Sequence, residues 1–409
     1  MITDRDIDTF LARRNFDLRQ THNGRWIDQK CTPDVLWSVT DFVLNYVENI
    51  GPSFSARDIW GSDYAKRTIK ETFSKPETDD SSAQNEYDKV FSQPLCLLCY
   101  AGVINDASMT SRHCYQVANT EVLEYIARND VYALRFLQAY IEKVLRDSGL
   151  YRAFETFFAT QTDGSFQTLK QSFIDFYHVH TAVKGDYEPK RIFTKVLNPL
   201  SFKYGKRGTE RGRLSPDIIN RSDMMYNRDN FRDIFRDKPK GVSRKEWLAS
   251  HPKFDVRDGY YEQMMSAAKR LVQKINNSFR EGISELTQFD DNHSDYAPAT
   301  QTHHIFPIRE FREIRHYLEN LIALTPNQHY GFAHPRNNTF HVDVAAQKLL
   351  LIAKTYSIKK NIEEEPVPIY KFENLLFVLA TGFDDTALQD IETNDYLGVL
   401  QSINSHYQG

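Results

Sequence analysis

Residues 302–341 read THHIFPIREFREIRHYLENLIALTPNQHYGFAHPRNNTFH. Ile305 and Phe306 look like a short strand closed by Pro307. Leu321, Ile322, Ala323 and Leu324 look like a second strand, apolar enough to be buried. Thr325-Pro326 is a helix start, with Thr as N-cap and Pro at the first helical position. His329 then falls in the first turn of that helix. The expected order is strand, long loop, strand, helix, with His303 and His304 on the first strand.

A His pair followed by a hydrophobic residue and Pro, an Asn opening a second strand, and a His nine residues later on a helix resemble the HNH endonucleases. Their core is a ββα-metal finger. The resemblance covers about 40 of the 409 residues. It implies that His303 and His329 are metal ligands and that His304 is the general base that activates water. It implies that Asn320 braces the loop orienting His304. The chemistry is sound for a phosphodiester: a cation offsets the charge that grows on oxygen, and a neutral imidazole accepts a proton near neutral pH. A divalent metal is expected, Mg²⁺ first. The nitrogen-rich ligand set also suits Mn²⁺, Co²⁺ or Ni²⁺. His334 follows His329 by five residues and Pro335 should stop the helix, so the two are not expected on one helical face. His334 is a candidate metal or phosphate ligand.

The total charge is −4, yet residues 190–245 carry 16 Lys and Arg against 6 Asp and Glu. A basic middle on an acidic body is a footprint for a polyanion. Gly205, Gly208 and Gly212 suggest an exposed, flexible loop there. Lys203, Lys206, Arg207, Arg211 and Arg213 are its DNA-contact candidates. Asp175 with Glu188-Pro-Lys190 is a competing metal site, on the loose pattern of other restriction enzymes. A proline sits badly in the central strand that pattern needs.

Three helices between about Pro33 and Tyr100, then AGVIND and RHCYQV as a hairpin, resemble a winged helix. Lys89 and Arg112 become further DNA-contact candidates on that resemblance. Cys96 and Cys99 are spaced like half a zinc site, but their apolar flanks point to buried core cysteines, and no structural zinc is expected. His178 and His180 alternate as in a strand. Helices are expected across 131–179, around 260–279, and three times after His341. The composition is that of a soluble globular protein, with no secretory signal and no apolar run of about 20 residues, so a cytoplasmic location without membrane contact is expected.

The expected fold is α+β, multidomain and mostly helical. A winged-helix-like domain (1–130) leads to a helical middle (131–290) with the basic loop, and then to an HNH domain (291–409) packed on helices. The expected function is site-specific cleavage of double-stranded DNA by a type II restriction enzyme. The expected form is a homodimer, with a DNA methyltransferase as its genetic partner. A modification-dependent nuclease, a non-catalytic winged-helix regulator and a non-specific nuclease toxin are the alternatives.

Overall fold

The computed structural model describes residues 2–73, 84–109, 113–226, 256–289, 297–308, 311, 314–334 and 343–407. Arg112, residues 227–245 of the basic segment and residues 335–341 of the histidine stretch lie outside them. The described residues are mostly helical, with three small antiparallel sheets. The chain divides into two compact units, Met1–Tyr260 and Tyr261–Gly409. Residues 131–260 thus share a unit with 1–130, and residues 261–290 share one with the histidine stretch.

The first unit is built on α3 (Pro33–Asn49), buried without a break from Pro33 to Leu44. A helix buried on all sides must satisfy its own polar groups. Ser38 and Thr40 donate their hydroxyls to the carbonyls of Asp34 and Leu36. Asp34 accepts from the Thr32 hydroxyl and from the amides of Val35 and Tyr226. Asp41 accepts from Tyr64. Before α3 come α1 (Asp4–Ala12) and α2 (Leu18–Thr21). After it come β1 (Ser53–Phe54), α4 (Ala56–Gly61), α5 (Asp63–Phe73) and α6 (Gln84–Ala101). Then follow β2 (Ile104–Asp106) and β3 (Tyr115–Val117), in a sheet of order β1-β3-β2. Cys96 on α6 is exposed and Cys99 half-buried, so the pair is not the buried core feature its apolar flanks suggest.

Next come α7 (Thr120–Ile126), α8 (Asp130–Asp147), α9 (Tyr151–Thr160), α10 (Asp163–His180) and α11 (Tyr187–Lys203). His178 and His180 lie in the last turn of α10, not in a strand. Phe166, Leu169, Phe173, Ile174 and Tyr177 form one buried helical stripe that carries the helix through them. The basic segment also differs from the expected loop. Its described residues, 190–226, hold most of α11 and then a hairpin, β4 (Arg207–Glu210) and β5 (Arg213–Ile218). Its glycines serve that hairpin. Gly212 turns it at φ +78°, and a Cβ on Gly208 would lie 2.5 Å from Asn198 Oδ1. Asn198 holds Thr209 by both its amide nitrogen and its oxygen.

In the second unit α12 (Val256–Phe279) leads to β6 (Gln301–His304) and β7 (Leu321–Leu324). The strand is Gln301–His304 rather than Ile305–Phe306. Its register pairs Thr302 with Ala323, His303 with Ile322 and His304 with Leu321. All four residues of β7 are buried, because both its faces are covered. Leu321 and Ala323 pack with Ala268 and Val272 of α12. Ile322 and Leu324 join the core of α13 (Val344–Glu364), α14 (Phe372–Phe383) and α15 (Tyr396–His406). A buried ion pair ties these layers. Lys354 Nζ on α13 sits 3.3 Å from both oxygens of Glu285 and 2.8 Å from Tyr370 Oη. Glu285 Oε1 also accepts the Ala323 amide at 2.9 Å.

Removing one partner of such a pair leaves a buried charge, which costs roughly 3–5 kcal/mol. Lys354→Met should therefore lower the stability of the second unit by about that amount in urea titrations of the full chain. A loss below about 1 kcal/mol would show that Glu285 finds solvent or another partner.

Candidate active site

The sequence places His303 and His304 next to each other on β6, so strand alternation sends their side chains to opposite faces. His303 shares its face with Ile322, and His304 shares its face with Leu321 and hence with α12. After β7, Thr325 caps the next turn: its hydroxyl accepts the Gln328 amide, and Gln328 Oε1 accepts the Thr325 amide. The segment that follows is a π-turn, Gln328–Ala333, not the ordinary α-helix expected. The His334 amide bonds the His329 carbonyl at 3.1 Å, which is the i→i+5 bond of such a turn.

That wider turn corrects the expectation for His334. In an α-helix a five-residue spacing points two side chains apart, whereas an i→i+5 turn brings them over one another. His303, His329 and His334 form a group whose ligand atoms all lie within 4.8 Å of one another. The ring centroids are 4.8–5.3 Å apart, and each pair of rings is steeply inclined, at 75°, 76° and 86°. Nδ1 of His329 and Nδ1 of His334 are buried without a hydrogen-bond partner. Two orphaned imidazole nitrogens facing a third histidine fit a borderline divalent cation. The 4.8 Å spread slightly exceeds twice a metal–nitrogen bond of about 2.1 Å, so the rings close in when all three bind.

His304 Nε2 lies 2.9 Å from the Arg315 carbonyl oxygen. A carbonyl only accepts, so Nε2 carries the proton and Nδ1 keeps the lone pair. The loop that presents this carbonyl is fixed by Asn320, which is fully buried. Asn320 Oδ1 accepts the Phe306 amide at 2.8 Å, and its Nδ2 donates to the carbonyls of Phe306 and Ile314 at 3.1 and 3.3 Å. Its backbone carbonyl accepts the Ile305 amide.

Burial holds these histidines neutral. His303 is pushed down to about 3 by burial and then by its histidine neighbours. His304 is pushed down to about 4 by burial and then by Lys269. His329 and His334 are lowered by burial first. His316 falls to about 4 for the same cause. Lys269 of α12 acts on His303, His304 and His329. The sequence reading missed Lys269, because that helix was legible only as an apolar stripe.

The DNA-contact candidates are dispersed over the first unit. Arg211 and Arg213 are exposed at the hairpin tip, beside Lys170, whose Nζ bonds the Gly212 carbonyl. Lys89 is exposed on α6, and Lys206 is half-buried. Lys203 is paired with Glu142 at 2.8 Å. Arg207 is tied to Gln161 through both its amide and its guanidinium, so it belongs to the hairpin anchor. Asp175, Glu188 and Lys190 do not converge: they bond Gln171, Arg25 and Asp186 respectively. Among the described residues, the histidine trio is the one group with converging metal ligands. No described helix is long and apolar enough to cross a membrane.

Two outcomes are expected. Cobalt or nickel should raise the melting temperature of the full chain, by the equivalent of about 2.7 kcal/mol at a hundredfold excess over Kd. His334→Ala should weaken that binding by more than the roughly 10–100-fold typical of an outer-shell partner. An unchanged Kd would remove His334 from the ligand set. Separately, the depressed histidines make the unfolded chain bind more protons than the folded one below their ordinary pKa. Metal-free protein should lose stability as pH falls from about 6.5 towards 4, and His303→Gln should flatten that slope. A stability flat across that window would contradict the burial of these rings.

The chain matches no known family model, no curated protein and no solved structure.

Proposed function

We propose that the chain is a metal-dependent endonuclease acting on double-stranded DNA, of the HNH type. The observation that carries this reading is the convergence of His303, His329 and His334 beside a fourth histidine, His304, locked in one tautomer by a backbone carbonyl. His303, His329 and His334 would hold a divalent ion, Mg²⁺ or a softer cation such as Mn²⁺, Co²⁺ or Ni²⁺. Such an ion supplies charge stabilisation to the phosphate oxygens as the bond to the leaving oxygen breaks.

The chain's own residues do the rest. His304 is neutral at pH 7, and its Nδ1 lone pair takes a proton from the attacking water. The new bond forms between that water oxygen and phosphorus. The bond that breaks is the one to the 3′ oxygen, leaving a 5′-phosphate and a 3′-hydroxyl. Asn320 acts through the loop, holding the Arg315 carbonyl where it keeps Nε2 protonated. This is a positioning role.

In the first unit, α3, the short strand β1, the helices up to α6 and the hairpin β2–β3 stand in the order a winged helix needs, with the sheet order β1-β3-β2. That module and the exposed Arg211 and Arg213 would bind the duplex, with phosphate contacts fixing register and base edges giving selection. A restriction enzyme reading palindromic sites would work as a homodimer.

The test is digestion of methylated and unmethylated phage DNA with Mg²⁺ or Mn²⁺. Wild type should give discrete bands. His304→Ala should lose about 10²–10⁴-fold in rate while retaining DNA binding. Equal cleavage by the mutant would remove His304 as the base, and no cleavage by either protein would sink the nuclease reading.

A further inference from the structure

The hairpin β4–β5 turns on an unusual residue. Its register pairs Thr209 with Leu214 and Glu210 with Arg213, so Arg211 and Gly212 alone form the loop. Both have positive φ, +50° and +78°. A two-residue loop with two positive φ values is a type I′ turn, which favours Asn-Gly or Gly-Gly. An arginine at the first position is strained, because its Cβ crowds the following carbonyl in the left-handed region. Left-handed non-glycine residues cluster at ligand clamps, where the side chain has a use that outweighs the strain.

The turn is also held rigid. Buried Asn198 bonds the amide and the carbonyl of Thr209 at 2.8 and 3.0 Å. Ser201 donates to the Arg207 carbonyl, and Gln161 accepts the Arg207 amide. Ser215 Oγ accepts the Gly208 amide. Lys170 reaches across from α10 and donates to the Gly212 carbonyl at 2.8 Å. Gly208, Thr209 and Ser215 are buried, whereas Glu210, Arg211, Gly212 and Arg213 are exposed. Neither Arg211 nor Arg213 has a hydrogen bond or ion pair among the described residues. With Lys170 they set three cations against one carboxylate, Glu210.

That burial decides which groove of a duplex the tip fits. A two-stranded ribbon reads the major groove by lying in it. This ribbon is packed against its own unit and offers only its turn. A single long side chain carried ahead of a rigid turn suits the minor groove, about 6 Å wide. The negative potential there is strongest where A·T tracts narrow the groove. A guanidinium is more weakly hydrated than an ammonium, so it sheds water into such a slot more readily.

We propose that the β4–β5 tip is a minor-groove probe: Arg211 enters the minor groove of duplex DNA, and Arg213 and Lys170 meet the phosphates along its edges. This rests on the duplex-binding part of the reading above, not on the histidine site.

The test is fluorescence anisotropy with the full chain in EDTA, so that no strand is cut. Wild type, Arg211→Asn and Arg213→Ala are compared on a duplex with a central A·T tract and on an all-G·C duplex, with netropsin as the minor-groove competitor. Wild type should prefer the A·T tract and be displaced by netropsin. Arg211→Asn should lose on the order of tenfold in affinity for the A·T tract and less for the G·C duplex. Its melting temperature should hold or rise, since Asn-Gly is a favoured pair for this turn. Arg213→Ala should weaken both duplexes alike and lower the slope of log affinity against log salt by about one. If Arg211→Asn binds the A·T tract as tightly as wild type, the proposal is overturned. If it weakens both duplexes alike and netropsin does not compete, Arg211 is a phosphate contact and the minor-groove assignment is overturned. A melting temperature that falls together with affinity would make Arg211 a structural residue and overturn the proposal as well. Wild type that binds neither duplex also overturns it, and Mn²⁺-dependent cleavage of plasmid then decides the nuclease reading separately.

Discussion

The second unit depends on the amide of Asn320. Its oxygen and nitrogen reach three backbone groups on a loop that leaves β6 and returns to β7. A buried amide with one acceptor and two donor positions satisfies three backbone groups that water cannot reach. Arg315 of the same loop presents the carbonyl that fixes the His304 ring. Aspartate is close to isosteric but has no N–H to donate, and alanine would leave all three groups unpaired. The position of the nitrogen proposed as the general base thus rests on a side chain that acts on it only through the loop.

The ribbon and π-turn are too small to bury themselves, and no cysteine follows Cys114 to staple them. Support comes from two layers of helix instead. One face of β7 is closed by α12 and the other by the α13–α15 core. Glu285 and Lys354 join these layers through a pair with almost no exposure, 3% and 0% at the side chains. Burial pushes the Lys354 ammonium below its usual range, and Glu285 opposes that shift. The same carboxylate accepts a β7 amide, so its charge is used twice, once for the ion pair and once for strand position.

Much of the site was legible because its residues follow local rules. Thr325-Pro326 starts a helical turn by capping, and the LIAL run reads as a strand covered on both faces. His334 was legible as a candidate ligand but not as a side chain aligned with His329. Sequence periodicity assumes 3.6 residues per turn, and a single i→i+5 bond changes which side chains align. The basic segment failed for a related reason. Gly208 and Gly212 look like markers of flexibility, but one is there for close packing against Asn198 and the other for a tight hairpin turn. Lys269 carries no local signal at all. Its relation to His304 exists only through the packing of α12 on the ribbon, across a chain separation no motif encodes. The mostly helical character survived these misses, since it rests on long amphipathic stretches such as α8 and α10.

Burial disfavours a proton on all four histidines, neighbouring histidines add to that at His303 and His329, and Lys269 adds to it at His303, His304 and His329. Each imidazole is therefore a neutral lone-pair donor at pH 7 rather than a cation. For His303, His329 and His334 that state is the one a metal requires. For His304 it is the state a general base requires, and the Arg315 carbonyl selects which nitrogen is bare. A depressed pKa also weakens a base, because a less basic nitrogen takes a proton less readily. The hydrogen bond from Nε2–H to the Arg315 carbonyl opposes that loss, since it favours the protonated ring and raises the His304 pKa. The Asn320 loop therefore does more than aim the ring: it returns part of the basicity that burial removes.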